Sequence, residues 1–232
     1  MKIGVCMFYD DNIYHYANIN HQINLLYCDK HEIDLIVSNT PQYKNRHAAW
    51  ESVPLMYNNL DSYDYLIWID ADAFFYTDGL DISQFIKDYP TSDFIFSWDY
   101  SKPQKSPTEI NTGVYIVKNT SFSKEFLKKW AFDEELYENN SMKYRWDQGV
   151  LNDMFRTNIM NIKEHCSVVT YGVLQHFYKE ELNNLPKKPF VYHMAGRRAS
   201  QNEEERFFDS NAYYNELIAS TEIEDTIRRS LS

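Results

Sequence analysis

Cysteine is scarce in this chain of 232 residues: Cys6, Cys28 and Cys166 stand far apart, form no CxxC pair and leave an odd number. That argues against a disulfide framework and against a thiolate zinc site, and it fits reduced thiols in a cytoplasm. Positive charge is also short, with 23 Lys and Arg against 34 Asp and Glu, for a net charge of -11. Nucleic-acid backbones and anionic membrane surfaces are repelled at long range, so any anionic ligand needs cations gathered locally. Long apolar runs are missing as well. The opening MKIGVCMFYDD is cut short by Asp10 and Asp11, too brief for a signal peptide or a membrane span, and no integral membrane segment is expected elsewhere. The chain has no repeats, low-complexity runs or clear linker.

Apolar and aromatic side chains are plentiful, at 44% and 16%, enough for the core of one full-sized domain over residues 1–232, with 200–232 as a helical tail. KIGVCMFY (2–9), IDLIVS (33–38) and YDYLIWI (63–69) read as strands. Helical spacing at Ile13, Tyr16, Ala17, Ile23 and Tyr27 separates the first two, and AAWESVPLMYNNL (48–60) reads as a helix before the third despite Pro54. Farther on, DFIFSW (93–98), TGVYIVKN (112–119), SVVTY (167–171) and FVYHM (190–194) read as strands. DISQFIKDY (81–89), Ser121 to Glu138 and DQGVLNDMF (147–155) read as helices, and the tail from Asn202 as one or two surface helices. Strands alternating with helices predict an α/β fold with a mainly parallel sheet, whose ligands collect at the carboxyl ends of the strands.

At one such end the apolar run YDYLIWIDADAFF carries Asp70 and Asp72. Burying ionised carboxylates without partners is costly, so the pair must be exposed or meet a cation. Read as extended backbone, residues two apart point to one side, and small Ala71 lets a shared ligand approach closely. Two oxygen ligands suit a hard cation such as Mg²⁺ or Mn²⁺, which completes its shell with phosphates and water. The plain alternative is a cap or turn after a strand. His193 closes a late strand and is followed by Gly196, which permits close backbone approach, and by Arg197 and Arg198. Those guanidinium groups either grip phosphate oxygens or form a solvated surface pair. Asn111, Thr112 and Gly113 precede a strand, either as a sugar-contacting segment in which Gly113 leaves room or as an ordinary turn. Asp147 and Gln148 open a helix, with Asp147 a functional carboxylate or an N-cap. Tyr9 and Asp10 end the first strand as nucleobase contacts or plain loop residues.

The ordered set RHAAW, WIDADAFF, NTGVYIVKN, WDQGVL and FVYHMAGRR, with YCDKHEIDL before it, resembles the metal-dependent GT-A glycosyltransferases, most closely glycosyltransferase family 34. The resemblance covers roughly residues 24–198. It implies a GT-A fold, a Mn²⁺ or Mg²⁺ cofactor, a nucleotide-sugar donor with UDP-sugars favoured over GDP-mannose, a glycan or glycoconjugate acceptor, and retention of anomeric configuration. It further implies that Asp70 and Asp72 are metal ligands with His193 as the third, and that Arg198 contacts the donor diphosphate. Asn111, Thr112 and Gly113 match the donor-sugar segment, and Asp147 and Gln148 the pair beside the reacting carbon and acceptor. The chain departs from the family where Trp146 replaces an acidic residue and Ser52 a donor-contacting lysine, a contact either lost or supplied by Arg46. The Golgi anchor of the eukaryotic members has no counterpart here, which points to a cytoplasmic bacterial or viral protein.

Three other readings meet the same residues. A haloacid-dehalogenase phosphatase wants Thr or Val where Phe74 stands, and carries its Asp-x-Asp on the first strand rather than the third. A nucleotidyltransferase wants a glycine-rich turn where FYDDNIY has none. A non-catalytic carbohydrate-binding module could use the 19 tyrosines and 5 tryptophans for stacking, although most aromatics fall at core spacing.

Overall fold

The structure, a computed structural model, describes residues 1–77, 81–99, 109–136, 146–177, 189–195 and 202–231. Six strands form the main sheet: β1 (Ile3–Phe8), β2 (Asp34–Ser38), β3 (Tyr65–Ile69), β5 (Phe94–Trp98), β6 (Ile110–Lys118) and β7 (Cys166–Val169), in spatial order β2-β1-β3-β6-β5-β7. The β1–β2, β1–β3 and β5–β7 pairs are parallel, and β6 runs antiparallel to both of its neighbours. A smaller sheet holds β4 (Ala73–Phe75), β9 (Val191–His193) and β8 (Gln175–His176) in that order.

Strand periodicity sorts the core into two layers. Val5, Met7, Ile67, Ile69, Val114 and Ile116 face one side of the main sheet. Their neighbours Cys6, Phe8, Leu66, Trp68, Tyr115 and Val117 face the other. On the first side lie α1 (Tyr14–Lys30) and α3 (Ile82–Lys87), through Tyr16, Ala17, Tyr27, Ile82 and Phe85. On the second lie α2 (Ser52–Asn59), α4 (Ser121–Phe132) and α5 (Trp146–Arg156), through Val53, Met56, Phe126, Trp130, Val150 and Leu151. Helices on both faces explain why β1 is buried at every position. A short α6 (Ile162–His165) leads into β7, and α7 (Asn202–Leu231) packs on α1. Tyr213, Tyr214 and Leu217 of α7 cover the Phe74–Tyr192 face of the small sheet.

Several boundaries differ from the sequence reading. Pro54 is harmless because it occupies the first turn of α2, where a backbone N–H has no intrahelical partner. The helix expected to reach Glu138 is interrupted at Asp133, which is extended (φ -74, ψ 106); residues 134–136 are helical again, and 137–138 lie outside the described residues. Asn111, Thr112 and Gly113 lie inside β6 rather than before it, because β6 pairs with β5 from Ile110 onward. The tail, expected as one or two surface helices, is a single helix packed on α1. No helix among the described residues is long and apolar enough to cross a membrane.

Candidate functional site

Asp70 and Asp72 leave β3 on a tight turn, not the extended backbone expected of them, closed by the Ala73 N–H donating to the Asp70 carbonyl at 3.0 Å. The turn reverses the chain out of the large sheet into β4 of the small one. Two buried asparagines on α1 hold it. Asn20 Nδ2 donates to the Ala71 carbonyl at 2.8 Å, while Asn24 donates to the Ala73 carbonyl at 3.2 Å and accepts from the Phe75 N–H at 2.9 Å. Register does the rest. Ala73 pairs with His193 across the β4–β9 ladder, and the Met194 N–H donates to the Asp72 carbonyl at 2.9 Å, which sets the imidazole beside both carboxylates.

His193 Nε2 lies 3.2 Å from Asp72 Oδ1 and 3.5 Å from Asp70 Oδ2. Ligand atoms of the three residues all fall within 4.8 Å of one another. Trp68 Nε1 donates to Asp70 Oδ1 at 2.7 Å, and Arg206 from α7 pairs with Asp72 Oδ2 at 2.8 Å. The donor set, two hard carboxylates and an imidazole within one chelate radius, fits Mn²⁺ or Mg²⁺. Burial raises the Asp70 carboxyl, and the like charge of Asp72 adds to this, while His193 opposes it. Burial also acts to raise Asp72, but His193 and Arg206 outweigh it and hold that carboxyl below the ordinary range. Burial alone would lower His193, yet Asp72 and Asp70 outweigh it and raise the imidazole.

Gly113 is required by this packing. A Cβ there would lie 2.0 Å from His193 Cε1 and 2.9 Å from Asp70 Oδ2. The room expected for a sugar beside Gly113 is taken by the imidazole. Next to it, Asn111 Oδ1 accepts from the Gly113 N–H at 2.9 Å and from Gln175 Nε2 at 3.0 Å, and His193 Nδ1 meets Gln175 Oε1 at 2.7 Å.

Asp147 is not the N-cap of its helix but the second residue of α5, and it is 5% exposed. Burial and the charge of Asp70 push its carboxyl up to about 8, against a hydrogen bond from Thr112 that favours the ionised form. Gln148 Oε1 accepts from the Thr112 N–H at 3.3 Å, and its Nε2 donates to Asp99 Oδ2 at 3.4 Å. The structure therefore gathers Thr112, Asp147 and Gln148 at the β6–α5 junction. Asp70 faces this group and the His193 cluster alike.

A cleft of about 330 Å³ opens beside the turn, its lining including Asp70, Ala71, Asp72, Asp10, Asn12, Tyr16, His47 and Ala48. Asp10 reaches it, accepting from the Asn12 N–H at 3.0 Å. Tyr9 is 8% exposed and turns to His21 on α1, its hydroxyl 3.0 Å from Nδ1. Arg46 is held against α4, donating to the Ala131 carbonyl at 2.7 Å and lying over the rings of Tyr43 and Trp50. Trp146, at φ 39°, stacks on His47 at 3.7 Å. Gly196, Arg197 and Arg198 lie outside the described residues.

Sequence reasoning missed Gln175, Arg206, Asn20 and Asn24. The two asparagines did carry a signal, since they interrupt the buried stripe of α1 at an i, i+4 spacing where only a partnered polar group is tolerated. Gln175 and Arg206 carried none.

A family model of nucleotide-diphospho-sugar transferases matches residues 9–207 of the chain. A probable glycosyltransferase 6 of Oryza sativa subsp. indica is 24% identical over 155 residues, 65% of this chain and 31% of that protein. The galactomannan galactosyltransferase 1 of Cyamopsis tetragonoloba is 26% identical over 110 residues, 45% of this chain and 25% of that protein. The chain thus spans about a third or less of the length of the curated relatives it matches. Among solved structures, a glycosyltransferase involved in the glycosylation of the major capsid of PBCV-1 superposes with a TM-score of 0.71 at 16% identity, covering 91% of this chain and all of that one. The galactosyltransferase LgtC, solved with donor and acceptor sugar analogs, gives 0.53 at 16% identity over 89% of this chain and 94% of the other. These likenesses establish the GT-A fold.

Proposed function

Because the chain belongs to the nucleotide-diphospho-sugar transferase family, we propose that it is a metal-dependent glycosyltransferase moving a hexose or pentose from a nucleotide-diphosphate sugar to a glycan hydroxyl. The narrower likeness to glycosyltransferase family 34, a preference for UDP-sugars and retention of anomeric configuration belong to the same reading. One observation carries it: Asp70, Asp72 and His193 converge at the carboxyl end of β3, with both aspartates on the wall of a cleft large enough for part of a nucleotide.

Those three residues would hold Mn²⁺ or Mg²⁺. A dication held there would supply positive charge to a bound donor diphosphate. Trp68 fixes the rotamer of Asp70 by its 2.7 Å hydrogen bond, and Arg206 neutralises the outer oxygen of Asp72. Asp10 and Asn12, which line the same cleft, would meet base or ribose. Asp147, its carboxyl pushed up to about 8, would present a proton to a sugar hydroxyl, while Gln148, held by Thr112 and Asp99, would lie beside the reacting carbon.

The test is nucleotide release from UDP-xylose, UDP-galactose, UDP-glucose and GDP-mannose in the presence of Mn²⁺. At least one donor is expected to turn over, and Asp72→Ala is expected to lower that turnover by 100-fold or more. Wild-type rates in Asp72→Ala would remove the metal cluster from the reaction.

A further inference from the structure

We propose that Gln175 is the positioning residue of this centre, fixing through one hydrogen bond which nitrogen of His193 faces the cation. The inference rests on the metal reading above. Imidazole binds a metal through a bare nitrogen, so a neutral His193 serves only if its proton is on Nδ1 and its lone pair on Nε2. The two aspartates near Nε2 work against this. In the absence of any other partner they favour the Nε2–H form, which donates to them and presents no lone pair.

The opposing constraint begins at the backbone. The Gly113 N–H can only donate, so the Asn111 atom 2.9 Å from it is the carbonyl oxygen. That same oxygen lies 3.0 Å from the Gln175 amide, which must therefore turn its NH₂ group toward Asn111. Its oxygen is then left facing His193 Nδ1 at 2.7 Å and can only accept, which keeps the proton on Nδ1. Reversing the Gln175 amide would oppose two acceptors at Asn111, and reversing both amides would oppose two donors at Gly113. All of these groups are buried, Gln175 to 0% and Asn111 to 6% exposure, so water cannot repair a mismatch. A strand N–H in the large sheet thus sets the tautomer of a ligand in the small one.

Mn²⁺ affinity of the full chain, measured by titration calorimetry with free Mn²⁺ checked by electron paramagnetic resonance, tests the assignment. Gln175→Leu is expected to weaken binding by about 10- to 100-fold, the usual effect of removing such a partner. Gln175→Glu, which keeps an acceptor at Nδ1 but turns an oxygen on Asn111 Oδ1, is expected to bind more tightly than Gln175→Leu and less tightly than wild type. In a His193→Ala background the Gln175→Leu change should cost less than about twofold, since a residue acting through His193 has nothing left to orient. Equal losses in both backgrounds, or a Gln175→Leu affinity within twofold of wild type, would overturn the proposal. The metal-free chain decides separately: a slowly exchanging His193 Nδ1–H resonance should be present in wild type and Gln175→Glu and lost in Gln175→Leu. If wild type takes up no Mn²⁺ yet shows that resonance, the metal reading fails while the hydrogen bond stands. If the resonance is missing from wild type, the Gln175 assignment fails by itself.

Discussion

Asp147 shows how much one buried side chain can weigh. Its carboxyl is pushed up to about 8 in the fold, by burial first and by Asp70 second. The native chain therefore holds a proton that the unfolded chain has already released above pH 4, and stability must fall as pH rises between those two values. The slope is about 1.4 kcal/mol per pH unit from this group alone. Asp147→Asn should flatten the decline by that amount, as measured by urea unfolding of metal-free protein at pH 5, 6 and 7, while lowering turnover. An unchanged slope would mean that the carboxyl is ionised in the fold. The sequence allowed Asp147 to be either a cap or a functional group; only the packing of α5 on β6 decides, by closing the site to water.

Among the elements, α1 is the one whose role the sequence concealed. Its apolar spacing was legible, and so was the helix, but Asn20 and Asn24 act on a turn some fifty residues away, with sequence separations of 51 and 49. Asn24 satisfies a buried carbonyl and a buried N–H on either side of β4. Asn24→Ala strips both, and unpaired buried groups cost roughly 1 to 3 kcal/mol each, so a loss of about 3 kcal/mol is expected in chemical denaturation. An effect below about 1 kcal/mol would mean that water or a shifted strand replaces the amide. The long strands of the main sheet could be read because period-two alternation needs only a few residues. β4 and β8, at three and two residues, are too short to show a period, so the second sheet went unseen. With it went Gln175, the partner of His193.

For the whole molecule, the acidic balance and the cluster chemistry point the same way. His193 is raised in the fold by Asp72 and Asp70. Its contribution is full below the unfolded value of about 6.5 and disappears as pH climbs through the folded one. Metal-free protein should therefore lose the His193 contribution above its unfolded value, on top of the Asp147 decline that ends near pH 8. A dication competes with the His193 proton, so Mn²⁺ should raise the melting temperature more at pH 8 than at pH 6. At 100 times its dissociation constant the ion adds about 2.7 kcal/mol. An equal rise at both values would show that His193 loses no proton on binding. At this scale the fold class and the order of the motifs were visible in the sequence, because the aspartate pair, the late histidine and the Asp–Gln pair each end or begin a recognisable element. What brings them together was not, since it depends on one strand running against its neighbours: β6 is antiparallel to β3, so Gly113 comes to rest against Asp70.

The three clustered side chains come from both sheets, the aspartates where the large one ends and the histidine from the middle of the small one. An ion seated there would act as a rivet through two plates. Occupancy and rigidity would then rise together, and the central strand formed by Val191, Tyr192 and His193 would be quietest when the ion is bound.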